Sequence, residues 1–161
     1  MCNAEVNQNK NQGIFITFEG GEGAGKSTHI SFLAYCLREL GYEVLCLREP
    51  GGTDIGETPR ALVLDPKNDC LDAHAELFIY EAARAQIVAQ VIAPALERGA
   101  IVLCDRFYDS TVAYQAAGRG LSAQFIDAAN AFACQGTVPQ RTILMVSATT
   151  EEGLTRATNE G

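Results

Sequence analysis

Gly20-Gly21-Glu22-Gly23-Ala24-Gly25-Lys26-Ser27-Thr28 follows the apolar run Ile14-Phe15-Ile16-Thr17-Phe18 and precedes a segment with apolar residues at Ile30, Leu33, Ala34, Leu37 and Leu40. An apolar strand, a glycine-rich loop and a helical period in that order fit GxxxxGK[ST], a phosphate-binding loop. Glycines let successive backbone N–H groups point into one concavity, the Lys26 ammonium can reach the β and γ phosphates, and the Ser27 hydroxyl can ligate Mg2+. The helix that follows turns its positive N-terminal end toward the same anion. The loop names a donor of phosphate and leaves the acceptor open.

Outward from the loop, the chain alternates between strand-like and helical stretches. The first helix is expected over 27–40, with Gly41 as its C-terminal cap, and a second strand over 43–47. Arg48-Glu49-Pro50-Gly51-Gly52-Thr53 ends that strand in a loop. A short helix over 57–64 would carry Pro59 in its first turn, where a missing N–H costs little. A long helix over 73–98 would be kinked by Pro94 and closed by Gly99. The run 100–103 reads as a buried parallel strand that delivers Cys104, Asp105 and Arg106 to its tip. Helices over 107–117 and from a Ser122 cap to Cys134, a fourth strand over 141–146 and a helix from 150 to 157 complete the pattern. Alternation of this kind predicts an α/β fold, a parallel sheet covered by helices on both faces.

Composition narrows the function. The chain has 161 residues, of which 47% are hydrophobic, enough for one domain with a full core. Twelve basic residues face 20 acidic ones, a net charge of -8, which argues against a protein that coats nucleic acid. Six cysteines are scattered without a CxxC pair, a pattern that suits a reducing cytoplasm; Cys46 and Cys104, inside apolar runs, are expected to be buried. Residues 1–12 are polar, without an apolar signal core, and read as a flexible tail before a domain spanning 13–161. No apolar run approaches the length of a membrane span.

Three groups could carry chemistry beyond the loop. Asp105-Arg106 should arrive at the same sheet edge, where the Asp could hold metal-bound water and the Arg a phosphate oxygen, or the two could form an ordinary ion pair. Tyr80 and Arg84, four apart on a helix, either stack on and hydrogen-bond a flat base or pack in the core with a snorkelling guanidinium. Thr111, Tyr114 and Gln115 share a helical face that is either a binding surface or merely solvated. His29 and His74 lack metal-like spacing, and Arg119, between Gly118 and Gly120, could reach a ligand or remain on the surface.

Taken together, 18–28, 48–53, 76–86 and 105–115 resemble thymidylate kinase, the family of P-loop nucleoside monophosphate kinases that phosphorylate dTMP with ATP, and the spacing fits from Gly13 to about Ala157. The resemblance implies a three-layer P-loop NTPase fold, ATP and dTMP as substrates, Mg2+ as cofactor, a cytoplasmic homodimer, and neither nucleic acid nor membrane as partner. It implies that Gly20, Gly21, Glu22, Gly23, Ala24, Gly25, Lys26, Ser27 and Thr28 bind ATP. Ser27 and Asp105 would hold the metal, and Lys26, Asp105 and Arg106 would be catalytic. Glu22, Arg48, Tyr80, Arg84, Arg106, Thr111, Tyr114 and Gln115 would bind dTMP: Tyr80 stacked on thymine where the family usually has Phe, Arg84 on the base carbonyl, Thr111 and Gln115 on the base edge, Tyr114 under the sugar, Glu22 near the sugar 3'-hydroxyl or a metal-bound water, and Arg48 and Arg106 on the phosphate. Family members continue past the segment matching 152–157 into an Arg-bearing lid and terminal helices, so this sequence is expected to lack the lid and final helices and the transition-state Arg the lid supplies. Ser147 stands where the family often has Asp. The competing expectations are a deoxynucleoside kinase on the same scaffold and a catalytically incompetent nucleotide-binding fragment; a GTPase is disfavoured because no NKxD segment is present.

Overall fold

The computed structural model describes residues 13–147 together with 155, 156 and 158. The expected tail over 1–12 and most of the segment 150–157 lie outside the described residues; Thr155, Arg156 and Thr158 are helical. Strands β1 (Ile14–Gly20), β2 (Val44–Arg48), β3 (Ile101–Asp105) and β4 (Arg141–Met145) form one parallel sheet in the order β2-β3-β1-β4. Leaving β1 the chain crosses to β2 on one side, and leaving β3 it ends up at β4 on the other. The crevice between the carboxyl ends of β1 and β3 is therefore the topological switch point, where ligands bind in open α/β sheets.

Alternation along the strands divides the core in two. Phe15, Val102 and Cys104 face one side and pack with Ile87, Val88, Ile92, Ala95, Phe107 and Cys134. Phe18, Val44, Ile101 and Leu103 face the other and pack against Ile30 and Ala34 of helix α1 (Lys26–Glu39). The side-chain period of 2 in a strand makes this a three-layer arrangement. Gly41, at φ +87°, and the bonds Gly41 N–H to Arg38 O and Tyr42 N–H to Leu37 O close α1 in a Schellman motif, as its position predicts.

Four expectations need correction. Helix α2 runs Asp54–Leu64, starting three residues early because Thr53 caps it, its hydroxyl accepting the Gly56 N–H at 2.9 Å; Pro59 thus falls on the sixth helical residue and not in the first turn. The long helix is three pieces: α3 (Ala73–Ile87), a π-helical stretch Val88–Ile92, and α4 (Ala93–Glu97). The wide turn immediately before Pro94 absorbs the ring that the α ladder cannot accommodate. Cys104 is buried, but Cys46 is exposed on the edge strand β2, its thiol accepting from Arg38 at 3.7 Å. Similarly, the helix expected over 107–117 is a single turn, α5 (Tyr108–Thr111), followed by a π-helical stretch Val112–Gly118; α6 (Ala123–Cys134) carries the Ser122 cap.

Candidate active site

Three strand ends meet at the switch point. Phe18 and Arg48 both lie opposite Asp105 in the ladder. The pairing continues past the strands, with Glu49 N–H donating to Asp105 O at 3.0 Å and Arg106 N–H to Phe18 O at 2.9 Å. The glycine loop is fixed from below: Gly20, at φ +140°, lies so close to β4 that a Cβ there would stand 2.2 Å from the Met145 carbonyl oxygen. Gly25 caps α1 at φ +84°. The Lys26 ammonium donates to the carbonyls of Gly20 at 3.0 Å and Gly21 at 2.8 Å, folding over its own loop, and its pKa is lowered by burial and by the Arg106 charge.

Ser27 and Asp105 come together across 78 residues of sequence, the hydroxyl donating to Asp105 Oδ2 at 3.1 Å. Asp105 Oδ1 is buried without a hydrogen-bond partner among the described residues. Arg106 has φ +69°, an unusual conformation for a residue with a side chain. It is held there by Glu19, which accepts the Phe107 N–H at 2.7 Å and the Ser110 hydroxyl at 2.7 Å, while that hydroxyl accepts from Arg106 Nη1 at 3.2 Å. Burial pushes the Glu19 carboxyl above its usual range.

In front of these ends lies a cavity of about 390 Å³. Glu22 and Lys26 line it from the loop, Arg48 from β2, Tyr80 and Arg84 from α3, and Asp105, Arg106, Thr111, Tyr114 and Gln115 from the opposite wall. Every residue expected to bind the acceptor nucleotide is in one cavity, which the spacing arguments alone left undecided. The Arg106 guanidinium lies over the Tyr114 ring, 5.6 Å from its centroid. Arg48 pairs with Glu57 at 3.2 Å, and Glu57 also accepts the Gly52 N–H at 2.8 Å, tying the 48–53 loop to α2.

Arg84 is neither a surface residue nor a simple core residue. It is 2% exposed, lies over the Phe107 ring at 5.4 Å, and donates to Glu49 Oε2 at 3.0 Å, Glu81 Oε1 at 2.9 Å, Asn130 Oδ1 at 2.7 Å and Thr111 Oγ1 at 2.9 Å. Four of its five N–H groups are thus used, and one on Nη2 remains. Burial raises the Glu49 carboxyl to about 7 against the pull of Arg84, with Glu81 and Glu19 adding to the rise. The spacing of Glu81 and Arg84, three apart on a helix, signals their pairing. Glu49 and Asn130 reach Arg84 across 35 and 46 residues, and no local pattern announces either. Arg60, another residue the sequence reading passes over, lines the cavity and donates to Pro50 O at 2.7 Å. His29 bonds back to Gly25 O and His74 to its own cap Asp72, local roles in keeping with their spacing.

A glycine loop at a strand–helix junction, a Ser–Asp pair beside it and a cationic cavity in front of it define the class of P-loop phosphotransferases. The thymidylate kinase family profile matches residues 18–161. A thymidylate kinase of Trichlorobacter lovleyi is 51% identical over 144 residues, covering 89% of this chain and 68% of that protein, and one of Pseudomonas putida is 52% identical over 149 residues, covering 92% and 70%. The crystal structure of thymidylate kinase from Ehrlichia chaffeensis superposes with a TM-score of 0.79 at 37% identity, covering 91% of this chain and 78% of that one. The chain belongs to the thymidylate kinase family. It spans 66% to 70% of the length of the relatives from Trichlorobacter lovleyi, Pseudomonas putida and Pelobacter propionicus. Nothing in these likenesses favours a deoxynucleoside kinase.

Proposed function

We propose that the protein carries out the reaction of its family: in-line transfer of the γ-phosphoryl of ATP to the phosphate of dTMP, giving dTDP and ADP. The observation that carries this reading is the single cavity lined by groups suited to a base, Tyr80, Arg84 and Gln115, by cations suited to a phosphate, Arg48 and Arg106, and by Lys26 of the loop. Such a transfer asks for little covalent chemistry; the protein must hold two repelling anions in line and keep water out.

In this reading the loop from Gly20 to Thr28 cradles the ATP phosphates, and Lys26 leaves its two carbonyl partners for phosphate oxygens. Arg48 and Arg106 grip the dTMP phosphate, with Arg106 held in place through Ser110 and Glu19. Tyr80 stacks on the base, the remaining Nη2–H of Arg84 meets a base carbonyl, Thr111 and Gln115 read the base edge, Tyr114 lies under the sugar, and Glu22 faces its 3'-hydroxyl. The orphaned Asp105 Oδ1 and the Ser27 hydroxyl are hard oxygen donors suited to Mg2+, which takes few protein ligands and completes its shell with water and phosphate. Mg2+ bound there would neutralise charge on the phosphates of ATP.

We also propose a homodimer. Phe78 on α3 and Phe125 on α6 meet edge to face at 6.2 Å and are 58% and 50% exposed, and Phe132, two turns further along the same face of α6, is 87% exposed. An aromatic strip of this kind is the signature of a covered surface. No helix among the described residues is long and apolar enough to cross a membrane. Five described cysteines are free, which supports a cytoplasmic enzyme, and a net charge of -8 speaks against nucleic acid as a partner. The test of substrate is ADP release from ATP with a panel of nucleoside monophosphates. The reading expects dTMP to be preferred, and ADP release indifferent to the acceptor would overturn it.

A further inference from the structure

Gln115, with Tyr80 and Tyr114, lines two hollows, the main cavity and a more open one beside it completed by Glu76, Gly118 and Arg119. It is 3% exposed, and its amide has two chemically opposite ends, an NH2 that only donates and an oxygen that only accepts. Which end faces the base determines which pyrimidine it suits. Thymine offers a ring N3–H donor, whereas cytosine offers an unprotonated N3 acceptor.

Glu76 fixes that choice. Its Oε1 accepts from Gln115 Nε2 at 2.8 Å, and its two oxygens accept from Arg119, Nε at 3.3 Å and Nη2 at 2.5 Å. Arg119 thus grips the carboxylate with both prongs of its fork. Burial pushes the Glu76 carboxyl up, but the hydrogen bonds from Arg119 and Gln115 and the Arg119 charge together hold it below its usual range. An ionised carboxylate has no proton to give, so only the NH2 end of Gln115 can face it. Glu76 lines the side hollow and not the main cavity, which leaves the amide oxygen for the cavity. Among the described residues no donor reaches that oxygen, and it is not one of the buried atoms without a partner, so it keeps some exposure and is left to accept from a ligand.

We infer that Glu76, anchored by Arg119, is a positioning residue for base selection: it locks the Gln115 amide with its oxygen toward the base and so favours a pyrimidine carrying a ring N–H over one carrying a bare ring nitrogen. The inference rests on the proposal that Gln115 reads the base. Together with the free Arg84 Nη2–H it gives the wall one acceptor beside one donor, the complement of thymine N3–H and O4 and the reverse of cytosine.

The test is the ratio of kcat/KM for dTMP to that for dCMP, measured on the full chain with E76Q, Q115A, Q115E and the double variant E76Q/Q115E. In E76Q the neighbouring amide can either donate or accept, so Gln115 is free to invert. The ratio is expected to fall at least about tenfold, while kcat with saturating dTMP changes less than about twofold. In Q115E two carboxylates face one another and the ratio falls. In E76Q/Q115E the new Gln donates to the new Glu, which presents an oxygen to the base, and the ratio returns toward that of the unaltered protein. A ratio unchanged in E76Q while Q115A collapses it would overturn the inference and leave base reading by Gln115 standing. A ratio unchanged in Q115A would remove both, with dTMP phosphorylation itself unaffected. If E76Q fails to fold, absence of rescue in the double variant overturns the inference on its own.

Discussion

Arg84 shows how a charged residue becomes part of a binding wall. Two carboxylates, an amide oxygen and a hydroxyl occupy four of its N–H groups, which removes the rotamer freedom that a long side chain would otherwise lose on meeting a ligand. Lysine keeps the charge but lacks the planar fork. Arg84→Lys is therefore expected to raise the KM for dTMP about tenfold or more with a smaller effect on that for ATP, read by steady-state kinetics with each substrate varied; equal changes in both would remove the base-reading role. The same network makes stability depend on pH. Burial pushes the folded Glu49 carboxyl up to about 7, against an ordinary value of 4.5. Between those values the folded chain holds a proton that the unfolded chain has released, so stability falls as pH rises from 4.5 and the loss is complete above 7. Its full size is roughly 3 kcal/mol. Chemical denaturation from pH 5 to 8 should show this decline, and it should flatten in Glu49→Gln. At this scale the sequence was informative in part. It identifies Arg84 through its spacing from Tyr80, and Glu81 three residues away as one partner, but Glu49, Thr111 and Asn130 come from a distant loop and distant helices, and only the folded chain brings them together.

At the scale of elements, loops and caps do more than helix propensity. Thr53, at the end of the 48–53 loop, starts α2 three residues ahead of the apolar pattern, and α2 in turn supplies Glu57 to hold Arg48 and Arg60 to line the cavity. Removing that cap in Thr53→Ala should cost about 1 kcal/mol and lower Tm by about 2–4 °C, with a rise in the KM for dTMP because the loop loses its anchor. Unaltered dTMP kinetics would show that α2 only covers the sheet. The strands, α1 with its Schellman ending and the Ser122 cap were legible because each rests on local periodicity and capping chemistry. The π-helical stretches before Pro94 and after Thr111 were not. The placement of an extra residue in one turn answers to what the helix packs against, which no local pattern records. The second of them carries Tyr114 and Gln115, so a departure from α geometry sits where the acceptor would lie.

Over the whole molecule, strand order converts separate motifs into one site. Because β3 lies between β2 and β1, the Gly20 loop, Arg48 and Asp105-Arg106 emerge side by side, an adjacency that alternation of strands and helices predicts only as a shared sheet edge. The exposed aromatics of α3 and α6 lie on the helical layer beside that site, so assembly and binding would be linked through α3. Phe132→Asp is expected to convert a dimer to a monomer in sedimentation measurements at micromolar concentration; a species whose mass does not change would exclude this face as the interface. In the proposed function phosphate is added to a phosphate, and not to a sugar hydroxyl. The most direct measurement supplies ATP labelled in the γ position to the full chain with thymidine and dTMP together and separates the products. The label should appear in dTDP, and label in dTMP formed from thymidine would contradict the account.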